Sequence, residues 1–281
     1  MKLILSQTGR FIGFGLLLTW LVIVIVPLVA AVLNSLKSNI DIFSNPLGLN
    51  LGDIRFGNFV EALNGPVGGR PLWEYLGNSF VATILSIVLG MTLGVLAAYG
   101  LARSDSRRIA TVNRIFTFLI AVPILATLVP TFTLMGALGL RDSPVGITLV
   151  YAAFMIPPTA LLMRPYFAAV PAELFEAAKL DGAGEARTFI QVILPVVFPT
   201  LFGVIVINVI WVWSELALAS VLLVTSSSKT LPVGLLAFKG QYSTELGVQF
   251  AGLLLGAAPL LALYFFFSRR ITEGMAGGML K

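Results

Sequence analysis

The sequence has 281 residues, of which 58% are hydrophobic and only 11% are charged, and its formal net charge is +5. Because soluble domains carry about 25% charged residues, this composition indicates a membrane protein. The chain has no cysteine and no histidine, which excludes disulfides, thiolate metal sites, Ser-His-Asp triads and HExxH zinc sites.

Six apolar runs are long enough to cross a bilayer, which takes about 20 residues of helix. They cover residues 11–33, 79–101, 115–138, 145–163, 198–224 and 248–267. The first run exceeds the roughly 7–15 residues of a signal-peptide core, and no clear cleavage site follows it, so we interpret it as a retained span. The sequence therefore predicts an all-α membrane protein with six transmembrane helices, in a single transmembrane domain over residues 1–281.

The Lys and Arg residues beside these runs predict the orientation of the chain. If both termini are cytoplasmic, twelve of the 18 basic residues lie on the cytoplasmic side, in agreement with the usual bias of membrane proteins. Arg103, Arg107 and Arg108 give the strongest local signal. Because the basic residues cluster beside apolar runs, they indicate membrane orientation and not nucleic-acid binding.

Spans three and four contain four prolines, at positions 123, 130, 157 and 158. Proline removes a backbone donor, and in a membrane helix the freed carbonyls can face a cavity. The simpler expectation, which we favour, is a kink in each helix.

A charged segment, residues 165–195, separates spans four and five on the predicted cytoplasmic side. Pro165 is not expected inside a helix, whereas Pro171 suits a first helical position and precedes a run of good helix formers. Gly182 can supply the left-handed turn that ends this first helix. The segment is therefore predicted to begin with a short helix and a glycine turn.

A second short helix is predicted from Glu185 to Leu194, and Pro195 should end it. Two short helices held between two spans would form a rigid lever that a soluble partner could push. The alternative is an interfacial helix lying on the lipid headgroups. The segment fits this alternative less well, because it has little basic charge and a small apolar face.

Glu215 is an ionisable residue within the fifth span, which makes it a functional candidate. Asn208, Trp211 and Glu215 are spaced i, i+3 and i+7, so they share one helix face. An indole plane beside an amide and a carboxylate suits a sugar, which makes the three residues candidates for a substrate pathway. The alternative is that Glu215 pairs with a donor of a partner subunit and only packs the bundle.

The charged segment contains, in order, Glu176-Ala177-Ala178, Gly182 and Val192-Ile193-Leu194-Pro195. This order resembles the EAA signature, EAA-x3-G-x9-I-x-L-P, of the permease subunits of binding-protein-dependent ABC importers, with Val192 where the family usually has Ile. Three other stretches resemble the sugar-importer branch. They are Trp213-Ser214-Glu215, where the branch has Trp-Asn-Glu, the outer segment 230–235 and the C-terminal stretch 269–278.

The resemblance implies that the first helix of the segment is a coupling helix, which docks in a groove of a separate ATPase subunit. The positions that match this role are Glu176, Ala177, Ala178, Asp181, Gly182, Ala183, Leu194 and Pro195. The sequence has no Gly-x4-Gly-Lys-[Ser/Thr] loop, so this chain is not expected to be an enzyme or to bind a metal or cofactor. ATP and Mg²⁺ are expected on the ATPase.

The function that the resemblance implies is a permease subunit of the prokaryotic inner membrane, which moves a sugar or related carbohydrate inward by alternating access. The expected partners are a second, non-identical permease, two ATPase subunits, an extracytoplasmic sugar-binding protein, membrane lipid and the carbohydrate, with no nucleic acid. One alternative is a permease for a non-sugar solute in the same class. Another is an ion-coupled secondary transporter, which is disfavoured because only Glu215 is predicted to lie inside a span.

Overall fold

The computed structural model describes residues 7–48, 50, 52–65, 70–103, 106–236, 238 and 245–276. Within these residues all regular secondary structure is helical. The helices are α1 (Gln7–Asn34), α2 (Asn39–Ser44), α3 (Gly57–Asn64), α4 (Leu72–Ala102), α5 (Arg107–Ala121), α6 (Leu128–Ala137), α7 (Pro144–Ala168), α8 (Ala172–Leu180), α9 (Glu185–Thr188), α10 (Leu194–Ser214), α11 (Ala217–Leu222), α12 (Leu231–Leu236) and α13 (Leu246–Ala276). A 3₁₀ turn (Ile124–Thr127) precedes α6, and a π turn (Phe189–Ile193) joins α9 to α10.

Five stretches of helix in the described part of the chain are long and apolar enough to cross a membrane. The predicted spans one, two, four and six lie within α1, α4, α7 and α13, and the fifth stretch, Glu185–Ser214, contains most of predicted span five. A sixth crossing is possible only if the bent pair of α5 and α6 is counted as one span.

The expectation that Pro123 only kinks the third span, residues 115–138, is wrong. The chain bends by 96° between α5 and the 3₁₀ turn that leads into α6. Val122 has an extended backbone (φ −74°, ψ 119°), the conformation that a following proline favours because its ring clashes with a helical neighbour. Pro123 therefore breaks this helix.

The predicted position of Pro165 outside any helix is also wrong, because α7 continues to Ala168. Proline costs the helix one N–H donor at this point. The last turn still closes, because the Ala169 N–H donates to the Pro165 carbonyl at 3.0 Å. Phe167, only 3% exposed, packs in the core at this end of the helix.

The described residues fall into two compact units. The first contains Met1–Leu72 and Leu235–Ala258. Its buried Lys37 donates from Nζ to Asn34 Oδ1 (3.1 Å) and to the carbonyls of Asn45 (2.8 Å) and Pro46 (3.1 Å). These bonds use all three ammonium protons and fix the loop that follows α1.

The second unit contains Trp73–Gly234 and Pro259–Lys281. In it α4 and α7 pack closely along two glycines. A Cβ on Gly90 would lie 2.7 Å from Met155 Cε, and one on Gly94 would lie 2.8 Å from Thr159 Cβ. Small residues permit this approach of two membrane helices, which brings their backbones into van der Waals contact.

Candidate functional site

Helix α8 and the turn after it lie in the charged segment, residues 165–195, which is called the coupling segment below. Gly182 has a left-handed backbone (φ +74°), which glycine adopts without a Cβ clash. Its N–H donates to the Lys179 carbonyl at 3.0 Å, and the Ala183 N–H donates to the Ala178 carbonyl at 2.9 Å. These two bonds form a Schellman motif, so the glycine ends α8 as the sequence predicts.

One face of α8 packs inward and the other is exposed. Ala178 is 6% exposed, and Leu174 and Phe175 are half-buried against a core that includes Phe167 and Ile193. The exposed side includes Glu176, Ala177, Asp181 and Gly182. Sequence reasoning had not selected Leu180, whose side chain is 89% exposed.

The predicted end of the second short helix at Pro195 is wrong. The helical path runs without a break from Glu185 to Ser214, and Pro195 lies in the first turn of α10. Ahead of it the Leu194 N–H bonds to the Phe189 carbonyl, the i to i−5 pattern of a π turn. The wider turn accommodates the proline, whose ring would otherwise clash with the carbonyl four residues before it.

Glu215 ends α10 with an extended backbone (φ −69°, ψ 125°). The prediction of one continuous fifth span through this residue is therefore wrong. The Glu215 carboxylate accepts the Leu218 N–H at Oε1 (2.8 Å) and the Ala219 N–H at Oε2 (3.1 Å). It thereby caps α11, the short helix that follows the break.

A third donor to Glu215 comes from α7. The Tyr151 hydroxyl, buried beside it, donates to Glu215 Oε2 at 2.8 Å. The Trp211 ring lies edge-on to the Tyr151 ring, with the centroids 5.7 Å apart. Glu215 is only 8% exposed, and its contacts within the chain favour a packing role.

Asn208, the third predicted pathway residue, contacts α4 and not Tyr151. Its Nδ2 donates to the Val204 carbonyl at 2.9 Å and to the Met91 sulfur of α4 at 3.5 Å. Thr159 of α7 donates to the same sulfur at 3.5 Å. The structure therefore brings Trp211 and Glu215 together at Tyr151 but places Asn208 against Met91. Nothing in the sequence signalled either contact, since both depend on how the helices pack.

A family model described as the binding-protein-dependent transport system inner membrane component matches residues 90–275. The chain belongs to this family. The resemblance found in the residues 176–195 is thereby confirmed, and with its apolar helices the chain is a multi-pass permease of the inner membrane.

Two relatives extend the match over nearly the whole permease. It is 31% identical to the diacetylchitobiose uptake system permease protein NgcG of Streptomyces coelicolor, over 97% of this chain and 90% of that protein. It is 32% identical to the multiple sugar-binding transport system permease protein MsmG of Streptococcus mutans, over 98% of this chain and 99% of that protein.

The fold is that of a solved importer. A chain of a bacterial ABC transporter involved in the import of the acidic polysaccharide alginate superposes with a TM-score of 0.82. The superposition covers 94% of this permease and 98% of that chain, at 22% sequence identity.

Proposed function

We propose that this permease moves a sugar or related carbohydrate into the cell by alternating access, driven by ATP that separate subunits hydrolyse. The observation that carries the proposal is α8 with its glycine-terminated end, held between α7 and α10 in a chain of an importer family. The names of the two relatives, both sugar permeases, support the substrate class.

In this proposal α8 is the coupling helix, on the cytoplasmic side together with both termini. Glu176, Ala177 and Asp181 lie on its exposed side, and Leu180 is the apolar anchor that enters the ATPase groove. Ala178 and Leu194 hold the segment from within, since the first is buried and the second half-buried. Mg²⁺ and ATP bind to the two ATPase subunits and not to this chain.

The remaining partners are a second, non-identical permease and an extracytoplasmic sugar-binding protein. Helix α1 favours a partner within the membrane, because none of the 18 residues of its most apolar stretch is buried within this chain. Of the three pathway candidates, Trp211 is half-buried while Asn208 and Glu215 are buried. We therefore retain Trp211 as the residue that contacts the carbohydrate and assign the other two to holding the helices.

The test is reconstitution of this permease in lipid nanodiscs with its partner permease, the ATPase subunits and the sugar-binding protein. ATPase activity is measured with a panel of mono-, di- and oligosaccharides, and with amino acids as the non-sugar control. We expect a sugar to stimulate hydrolysis. Stimulation of ATP hydrolysis by amino acids alone would reject the carbohydrate substrate class. If no ATPase subunit binds to the permease, the proposed function is rejected. Uptake that persists without ATP and stops when the ion gradient is abolished would favour a secondary transporter.

A further inference from the structure

The inner end of α4 contacts the coupling segment, although α4 is not adjacent to it in the chain. Arg103 directly follows α4, and its guanidinium carbon lies 4.3 Å from the ring centroid of Phe175 in α8. Tyr99, in the last turn of α4, donates from its hydroxyl to Glu185 Oε1 at 2.8 Å. One contact therefore reaches α8, before the glycine turn, and the other reaches α9, after it.

Aromatic packing fixes the position of Tyr99. Its ring centroid lies 4.8 Å from that of Phe189 in the π turn and 5.7 Å from that of Phe167 at the end of α7. Arg103 Nη2 also approaches Glu185 Oε1, at 3.7 Å. Because these two side chains are 35% and 66% exposed, water screens this ion pair. The contacts whose geometry holds α4 to the coupling segment are therefore the packing of Arg103 on the Phe175 ring and the hydrogen bond from the Tyr99 hydroxyl.

The outer end of α4 is bonded to a different segment. Asn78 Nδ2 donates to the carbonyls of Ser227 (2.8 Å) and Lys229 (2.9 Å), and the Leu231 N–H donates to Ser79 Oγ (2.7 Å). Helix α4 is continuous from Leu72 to Ala102. It thus joins the coupling segment to residues 225–231 by a single rigid element.

We propose that Arg103 and Tyr99 act as a clamp, which makes α4 follow the coupling segment and carries its displacement to residues 225–231 on the opposite side of the membrane. The two residues are positioning residues, and the clamp rests on the proposed function of α8. Displacement of α8 reaches α4 through these side chains without first deforming α7 or α10, the helices to which the segment is covalently joined.

The test uses the complete complex in nanodiscs, with Ser226→Cys as a reporter in a chain that has no native cysteine. Ser226 is exposed and lies in the segment that α4 holds. A membrane-impermeant maleimide labels the reporter with and without MgATP and vanadate, and labelling of this chain is quantified by mass spectrometry. We expect nucleotide trapping to change the labelling rate in the native background.

The decisive variants are Arg103→Gln and Tyr99→Phe. Each should reduce the nucleotide-dependent change in labelling rate by about threefold or more, which is the scale on which coupling residues act. The ATPase subunits should still bind to the complex and hydrolyse ATP. Arg103→Lys keeps the charge but loses the planar group, so it should not restore the change fully. Arg107→Gln removes an exposed charge of the same sign four residues away and should leave the change intact.

The possible outcomes separate the clamp from the proposed function. If both decisive variants show the same nucleotide-dependent change in labelling rate as the native background, the clamp is overturned. The clamp is also overturned if the native background shows no such change. Neither result contradicts the proposed coupling of α8 to the ATPase. Absence of an ATPase subunit from the native complex overturns both proposals. If Arg103→Gln fails to assemble, Tyr99→Phe decides the matter, because it removes a single oxygen and keeps the packed ring.

Discussion

Replacing Glu215 with glutamine should destabilise the protein, because the carboxylate is the acceptor for three donors on two helices. Both of its oxygens accept, from the N–H groups of Leu218 and Ala219 and from the Tyr151 hydroxyl. A glutamine amide has one acceptor oxygen, and its NH₂ group would face at least one of these donors. Either orientation of the amide therefore leaves a buried donor without an acceptor.

The expected loss follows from the bond count. An unpaired buried donor costs about 1–3 kcal/mol, and each retained bond loses about 1 kcal/mol when its acceptor becomes neutral, so Glu215→Gln should cost about 3–5 kcal/mol. Tyr151→Phe leaves the two backbone bonds in place and should cost only about 1–2 kcal/mol. Ser214→Ala is the control, since Ser214 is exposed and bonds only within its own helix.

The assay is thermal unfolding of the purified complex in nanodiscs, followed by fluorescence. Glu215→Gln should lower the midpoint by roughly 5 °C or more, Tyr151→Phe by less, and Ser214→Ala hardly at all. Sugar-stimulated ATPase activity is measured below the transition in each case. If Glu215→Gln proved as stable as the native protein yet lost transport, the packing interpretation would be refuted, and the carboxylate would belong to the substrate pathway.

Three further predictions concern other parts of the chain. Gly182→Pro should abolish stimulated ATPase activity without preventing membrane insertion, because proline can neither adopt φ +74° nor donate the bond that closes α8; normal stimulation would argue against a coupling role. Gly94→Leu should lower stability by about 1–3 kcal/mol or more through overlap with Thr159, seen as a reduced unfolding midpoint, while Gly100→Leu, with nothing within 4 Å of its Cβ, serves as the control. Burial alone would raise the pKa of Asp142, but hydrogen bonds from Ser228, Thr225 and the Val224 N–H outweigh burial and lower it. The ionised carboxylate therefore stabilises the folded protein at pH values above its unfolded pKa of about 3.9. This stabilisation is lost as the pH falls through the lower pKa of the folded state. Asp142→Asn should therefore speed amide exchange at Val224 at pH 7, and equal exchange in both proteins would exclude this role.

The apolar runs located most of the membrane helices, because about 20 consecutive apolar residues can hardly be accommodated otherwise. The end of α8 was equally predictable, since Gly182 supplies a conformation that few other residues adopt. Both features depend on neighbours in sequence. The family resemblance, too, was carried by a short ordered motif whose members lie within one segment.

The wrong predictions share one cause, which is that local rules do not fix how a proline or a buried acid is accommodated. Pro123 breaks a helix, Pro165 is tolerated in a last turn, and Pro195 follows a π turn. The same residue type gives three outcomes because the packing around each differs. Glu215 was identified as important, but its break and its donor Tyr151, 64 positions away in sequence, follow only from tertiary contacts.

The two breaks in the predicted spans differ in what surrounds them, and this difference bears on the assembly. At Glu215 the break is covered by this chain, since α11 packs with α6 and α7 in a core that includes Leu218 and Met135. At Pro123 the bend is exposed, and Leu125 beside it is 68% exposed. Non-helical backbone at membrane depth is tolerated only where protein buries it or water lines it. In the proposed assembly, the second permease would cover the exposed bend at Pro123 within the membrane, and an aqueous pathway between the two permeases would run along it.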